Sequence, residues 1–275
     1  MSLTVSTPAL FMTAAVDAME KRDVATCDIP NAFIQTDQPK LDKDEQQYTM
    51  KIRGKLAHLL VEIDPATYGP YLTQENGKDI IYVRILKAIY GMLQSALLFY
   101  KKLRADLEQS GFIINPYDPC VANKMVRGTP MTVVWHVDDM KISHKDKGAN
   151  DSFLQWIEKR YGNIGKVKIT RGKVHTYLGM KLDFLKDEKV IIDMRDYVQK
   201  DMLNKFPQDQ IKETATLTAN ETLFKINDHS PKLSEKQKND FHTMVAKGLF
   251  LCKQAKQELQ TTIAYSNRPK RIGPS

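Results

Sequence analysis

Apolar residues recur along this chain at two different spacings, and the changes between them mark the elements. Ala9, Leu10, Ala14, Ala15, Ala18 and Met19 stand on one helical face and predict a helix over residues 8–22. Pro8 opens it, at a first turn where a missing amide costs nothing. A short strand over 24–29 follows and is stopped by Pro30. Residues 47–52 read as a second strand, and 71–73 and 80–86 flank Asn76-Gly77. That pair accepts the left-handed backbone of a two-residue hairpin turn. From 92 to 110, Leu93, Ala96, Leu97, Tyr100, Leu103 and Leu107 recur three and four apart, and Gly111 supplies the stop.

Two β-rich runs, 120–127 and 131–137, are separated by Gly128-Thr129-Pro130. Asp138-Asp139 interrupts the apolar pattern before 140–143 resumes it, so the acidic pair is expected at a hairpin tip. A helix over 150–160 buries Phe153, Trp156 and Ile157. Strands are predicted at 166–170, 177–185 and 189–194, then helices at 195–206 and 234–264, with a polar stretch of weak pattern over 207–233. Antiparallel strands covered by helices on one face make the fold class α+β. The pattern divides the chain into residues 1–194 and a mostly helical region over 195–275.

Composition narrows the function classes. With 42% hydrophobic and 27% charged residues in 275, the chain is neither a disordered tail nor a membrane bundle. It lacks a run of about eighteen apolar residues, which makes a membrane partner unexpected, and its start does not resemble a secretion signal. Cys27, Cys120 and Cys252 are too scattered for a disulfide framework or a zinc module, and the six histidines show no ligand spacing. An intracellular setting, cytoplasmic or nuclear, is expected.

Charge is distributed unevenly. Residues 1–50 carry 4 basic and 8 acidic side chains, whereas 151–200 carry 11 and 7, and 201–275 carry 12 and 8. An acidic front and a basic back suit a protein that holds cations at one place and a polyanion at another. A lysine-rich solvated surface would give the same sum.

The acids have a more specific placement. Residues 133–137 form a nearly apolar strand that delivers Asp138 and Asp139 to its tip, and Asp28 ends the strand before it in the same way. Adjacent aspartates repel and require solvent or a cation. If the two strands are neighbours, three carboxylates converge, a donor set for hard divalent ions such as magnesium. A solvated turn is the plainer alternative.

Several segments, taken in order, resemble the reverse transcriptases of copia-type (Pseudoviridae) LTR retrotransposons. Asp28-Ile29-Pro30-Asn31-Ala32-Phe33 is similar to the family's first catalytic motif, and Leu86-Lys87-Ala88-Ile89-Tyr90-Gly91 to its Leu-Lys-Lys-Ala-Leu-Tyr-Gly segment. Gly111-Phe112 and Asp118-Pro119-Cys120 match Gly-Phe and Asp-x-Cys, His136-Val137-Asp138-Asp139 matches Tyr-Val-Asp-Asp, and Tyr177-Leu178-Gly179-Met180 matches Phe-Leu-Gly-Ile. Each block is weak alone; their joint order is specific.

The resemblance implies a polymerase palm with partial fingers over 1–194 and a small thumb-like or connection region over 195–275. It implies an RNA-directed DNA polymerase, a nucleotidyltransferase that joins deoxynucleoside triphosphates to a primer on an RNA or DNA template. Asp28, Asp138 and Asp139 would be catalytic, and with the Ile29 carbonyl they would hold two Mg2+ ions, for which Mn2+ can substitute. Phe33, Tyr90 and Gly91 would contact the nucleotide, and Leu178, Gly179 and Met180 the primer. On sequence alone Phe33 and Met180 are equally core residues, and Gly179 a strand bulge.

The chain also departs from the family. His136 stands for the usual tyrosine, Leu93 and Ala96 for lysine and proline, and 253–259 do not match the expected Arg-Pro-Asp region. Family members carry a basic fingers segment before the first helix, and integrase and ribonuclease H elsewhere in the polyprotein. These differences suggest an N-terminally truncated fragment, for which an inactive remnant that binds nucleic acid is the alternative function. A two-metal nuclease would use the same carboxylates and leave the Tyr90-Gly91 and Leu178-Gly179 segments without a role.

Overall fold

The structure, a computed structural model, describes residues 4–39, 48–185, 188–205 and 233–266. Helix α1 (Thr7–Met19) leads into β1 (Asp23–Asp28). Ser6 caps α1 by accepting from the Ala9 amide, and its own amide donates to Asp118 Oδ2 at 2.9 Å. The Cys120 amide donates to the other oxygen of Asp118 at 2.9 Å. The Asp-Pro-Cys segment thus fastens the start of α1 to the distant strand edge.

A peripheral unit follows: β2 (Thr49–Arg53), α2 (Lys55–Ile63), α3 (Pro65–Tyr68), β3 (Thr73–Glu75) and β4 (Lys78–Arg84). Asn76 and Gly77 have φ of 52° and 71°, the hairpin turn that their side chains predict. Tyr71 belongs to a 3-10 turn before β3 rather than to the strand. Helix α2 is absent from the sequence expectation, although Leu56, Leu59, Leu60 and Ile63 repeat at helical spacing.

The rest builds the core. Helix α4 (Ser95–Gln109) starts three residues later than predicted, because Gly91 turns the chain at φ 93° and Ser95 Oγ donates to the Ile89 carbonyl at 2.6 Å. After it come β5 (Ile113–Ile114), β6 (Val121–Val126), β7 (Thr129–His136), β8 (Asp139–His144), α5 (Lys147–Tyr161), β9 (Lys168–Arg171), β10 (Val174–Tyr177), β11 (Met180–Asp183) and β12 (Ile191–Asp193). The β6–β7 turn is Arg127-Gly128, and Pro130 lies inside β7 opposite Met125. The predicted strand over 177–185 is instead a hairpin that turns at Leu178-Gly179, where both residues have positive φ.

Strand order in the main sheet is β5-β6-β7-β8-β1-β9, all antiparallel. Smaller sheets, β10-β11-β12 and β2-β4-β3, accompany it. The fold is therefore mixed α+β. The expectation of helices on one face needs correction. Trp135 and Met140 are opposite neighbours on one face, and Trp135 stacks on Tyr100 of α4 with ring centroids 6.3 Å apart. Asp106 of α4 ties α5 to the same side, accepting from Arg160 and from Tyr161 Oη. Lys141 points the other way and pairs with Asp17 of α1, both fully buried. Thr26, on that side, meets His175 of β10 at 3.2 Å. Both faces are covered, which is why the interior residues of β1 and β8 are buried without alternation.

The C-terminal helical segments pack on this same core. Helix α6 (Arg195–Tyr197) continues as a π turn over Val198–Met202 and a 3-10 turn over Leu203–Lys205. Helix α7 (Glu235–Gln254) opens with a capping box from Ser234 to Gln237 and ends at Ala255. A 3-10 turn and α8 (Gln260–Ser266) complete what the sequence suggested was one helix. Leu251 is buried in the main cluster, with Tyr197, Val198, Met202 and Phe250 packed against it. The polar stretch over 207–233 lies outside the described residues except at Leu233.

Candidate active site

Strand β1 ends at Asp28 between two partners. Asp28 stands opposite Asp139 on β8 and opposite Lys168 on β9. His136 and Asp139 are paired across the β7–β8 hairpin, so Val137-Asp138 forms its two-residue turn. The Ile29 amide donates to the Asp138 carbonyl at 3.1 Å and holds that turn against the end of β1. Three aspartates from two separated segments thus lie at one end of the sheet.

The arrangement carries strain and charge. Val137 has φ 58°, a left-handed conformation that a β-branched side chain strongly disfavours. Burial pushes the Asp138 carboxyl up from the usual range, and the charge of Asp28 adds to this while His136 opposes it. Burial likewise raises Asp139, with Asp138 and Asp28 adding their repulsion. Behind them, burial and then the charges of Asp28 and Asp139 push the Cys27 thiol up to about 12, so it is an inert core group.

Aromatic residues approach the same carboxylates. Phe33 lies in a 3-10 turn (Ala32–Gln35) entered through Asn31 in the left-handed region. Its ring is 4.5 Å from that of Tyr90, which comes from the loop between β4 and α4. Burial, then Asp138 and Asp28, raise the Tyr90 phenol, so Tyr90 feels both acids, although it remains 58% exposed. At Gly91 a Cβ would meet nothing within 4 Å. That glycine is required by its positive φ rather than by close packing.

The β10–β11 hairpin reaches the site from the other side. Tyr177 Oη donates toward the Asp139 carbonyl at 3.2 Å and the Val134 carbonyl at 3.5 Å. Leu178 and Gly179 line a cavity of about 450 Å³ with His136, Leu10, Tyr197 and Phe250. A Cβ on Gly179 would come within 3.4 Å of the Phe250 ring. Met180 is fully buried, as is the Ile29 side chain. At the hairpin tip Gly179 is exposed and Leu178 half-buried against the core, and the Met180 side chain is a core group.

The aspartate oxygens are of the donor type that hard dications take, and a lysine ammonium lies 3.6 Å from Asp28 Oδ2. Among the described residues, however, no group of three or more His, Cys, Asp or Glu side chains is gathered closely enough to hold a metal ion. The fit is one of donor type and charge, with the carboxylates spread rather than drawn into a finished cage.

Sequence reasoning missed Lys168 and Tyr177 as neighbours of the acids. Each lies in a run predicted as strand, but strand pairing, which brings them to the site, leaves no local signal.

No family model matches the sequence, and no curated protein matches it. Among solved structures, the telomerase of Candida albicans, determined with a fragment of telomeric RNA, is similar over 70% of this chain and 36% of that one, at 11% identity and a TM-score of 0.37. The chain spans about a third of that telomerase chain. So distant a likeness identifies neither family nor activity. No helix among the described residues is long and apolar enough to cross a membrane.

Proposed function

We propose that this chain is an RNA-directed DNA polymerase domain of the copia type, in which the main sheet acts as a palm. The observation that carries the reading is the register of Asp28 against Asp139, with Asp138 in the adjoining turn and the Phe33–Tyr90 pair beside them. A nuclease needs the carboxylates alone. A polymerase also needs an aromatic wall for a nucleoside and a loop to seat the primer end.

In this reading the carboxylates of Asp28, Asp138 and Asp139, with the Ile29 carbonyl, would hold two magnesium or manganese ions, which would supply activation of the primer hydroxyl and charge neutralisation at the leaving phosphate. Phe33 and Tyr90 pack the sugar of the incoming deoxynucleoside triphosphate, the backbone at Gly91 leaves room for it, and the Leu178-Gly179 turn, braced by Tyr177, positions the primer terminus. The β2-β4-β3 unit supplies a fingers element and the helices after residue 194 a thumb-like element. Template and primer lie along the basic second half, whose two segments each carry an excess of four positive charges.

Primer extension on an RNA template tests this. Wild type should lengthen the primer, and Asp28→Asn or Asp138→Asn should reduce extension on the order of a thousandfold. Extension unaffected by either change defeats the reading, and shortening of the duplex instead supports a nuclease. Salt-sensitive duplex binding without extension supports a binding remnant, the reading favoured by the ungathered carboxylates.

A further inference from the structure

We infer that His175 is a pH-sensitive latch: as a neutral ring it fastens the β10–β11 hairpin to the main sheet, and its protonation releases that hairpin. The latch joins two separate sheets. His175 stands on β10 opposite Leu182 and is buried, with the Phe184 ring edge-on to it at 6.1 Å. Its Nε2 lies 2.9 Å from the Gly172 carbonyl, which can only accept, so Nε2 carries the hydrogen. Nδ1 is then the acceptor of the neutral ring, and Thr26 Oγ1 on β1 donates to it at 3.2 Å. The same hairpin carries Tyr177, whose hydroxyl reaches the Asp139 carbonyl, and the Leu178-Gly179 turn.

A second proton fits this setting badly. Placed on Nδ1, it obliges the buried Thr26 hydroxyl to turn and accept, which strands the hydroxyl's own hydrogen among the described residues. The surrounding charges are also unfavourable. Lys141 of β8 is fully buried opposite Thr26, and Arg171 ends β9. Asp23 of β1 opposes them, but it already accepts from Arg171 at 2.7 Å and from Asn150 at 2.8 Å. Asp17 of α1 is taken by Lys141 and Arg22, and β11 and the residue after it turn only Leu182 and Phe184 toward the ring. Burial above all, then Lys141 and Arg171, holds the imidazole below its usual range against the pull of the Gly172 carbonyl and Asp23. A ring kept neutral when latched and free to titrate when released favours release as pH falls below about 6.5. The latch works whatever the acidic turn binds.

Amide hydrogen exchange on the full chain at pH 7.5 and 5.0, corrected for the intrinsic exchange rate, tests it. Protection of the β10 and β11 amides should fall on the order of tenfold at pH 5.0 and should then lie below that of β7 and β8. His175→Asn keeps an acceptor for Thr26 but takes up no proton, so the acid-induced loss should disappear in that variant. In wild type at pH 6.5, where a free imidazole is about half charged, the His175 ring carbons should keep the NMR shifts of the neutral Nε2–H tautomer. Hairpin amides as well protected as β7 and β8 at pH 5.0 overturn the inference, as does an undiminished acid loss in His175→Asn. A His175 ring half protonated at pH 6.5 in the folded chain overturns it too. The two wild-type measurements decide the matter if His175→Asn fails to fold.

Discussion

Two charged clusters involve strand β8 and are treated in opposite ways. Midway along β8, Lys141 is fully buried against Asp17, and Arg22 reaches the same carboxylate at 3.8 Å and Thr132 Oγ1 at 2.9 Å. At the strand end, Asp28 alone of Asp28, Asp138 and Asp139 has a lysine partner among the described residues, an exposed one, and the turn that carries Asp138 strains Val137. The first cluster gives its buried carboxylate two cationic partners, because burial makes an unpaired ion prohibitive. The second stays short of positive charge, which is unfavourable for folding. Charge removal should therefore destabilise one cluster and stabilise the other.

The largest effect is expected at the buried pair. Lys141→Met leaves Asp17 without its closest partner and should cost about 3–5 kcal/mol in denaturant unfolding, while Asp17→Leu combined with Lys141→Met should recover much of that loss. A cost below about 1 kcal/mol would remove the contrast. At the strand end the sign reverses: Asp139→Asn, which relieves like charges directly opposite each other, should raise stability by about 1 kcal/mol. Val137→Gly should gain about 0.5 kcal/mol, since relief of the left-handed strain exceeds the added freedom of the unfolded chain. Either substitution proving destabilising by circular-dichroism melts would mean that the turn is held by packing the contrast does not include.

The smallest effect concerns pH. A carboxyl with a folded pKa above its unfolded value keeps its proton longer in the folded chain, so Asp138 and Asp139 favour folding more as pH falls from neutral toward about 4. Asp106 behaves oppositely. Burial works to raise it, but hydrogen bonds from Arg160, Tyr161 and Lys102 outweigh burial and hold it low, so its contribution persists at neutral pH and is lost below about 4. With the His175 titration removed by His175→Asn, unfolding free energies between pH 7 and 4.5 should show a gain on acidification of at most about 1 kcal/mol after solvent screening. Asp138→Asn with Asp139→Asn should remove that component.

Legibility in the sequence followed the range of the forces involved. Asn76-Gly77, the end of α4 at Gly111 and the acids at the β7–β8 tip were readable because turn residues and apolar spacing act over a few positions. The break at Leu178-Gly179 was read as continuous strand, since Tyr177, Met180 and Leu182 are all apolar enough to belong to one. Its cause is contact, with Tyr177 drawn to the Asp139 carbonyl and Gly179 facing Phe250. Helix α2 escaped notice because its apolar stripe, Leu56, Leu59 and Ile63, stays largely exposed on the peripheral unit and buries only Ala57 fully.

By itself, the amino-acid sequence determined much of the local grammar: most of the helices and strands, several of their turns, and the placing of Asp28, Asp138 and Asp139 at strand ends and a turn. Tertiary structure alone decided that β1 lies between β8 and β9, and hence that Asp28 faces Asp139 on one side and Lys168 on the other. The physical reason is that pairing of distant strands is selected by burial on both faces of the sheet. The buried Lys141–Asp17 pair spans 124 positions of sequence, and no local spacing encodes a partner that far away.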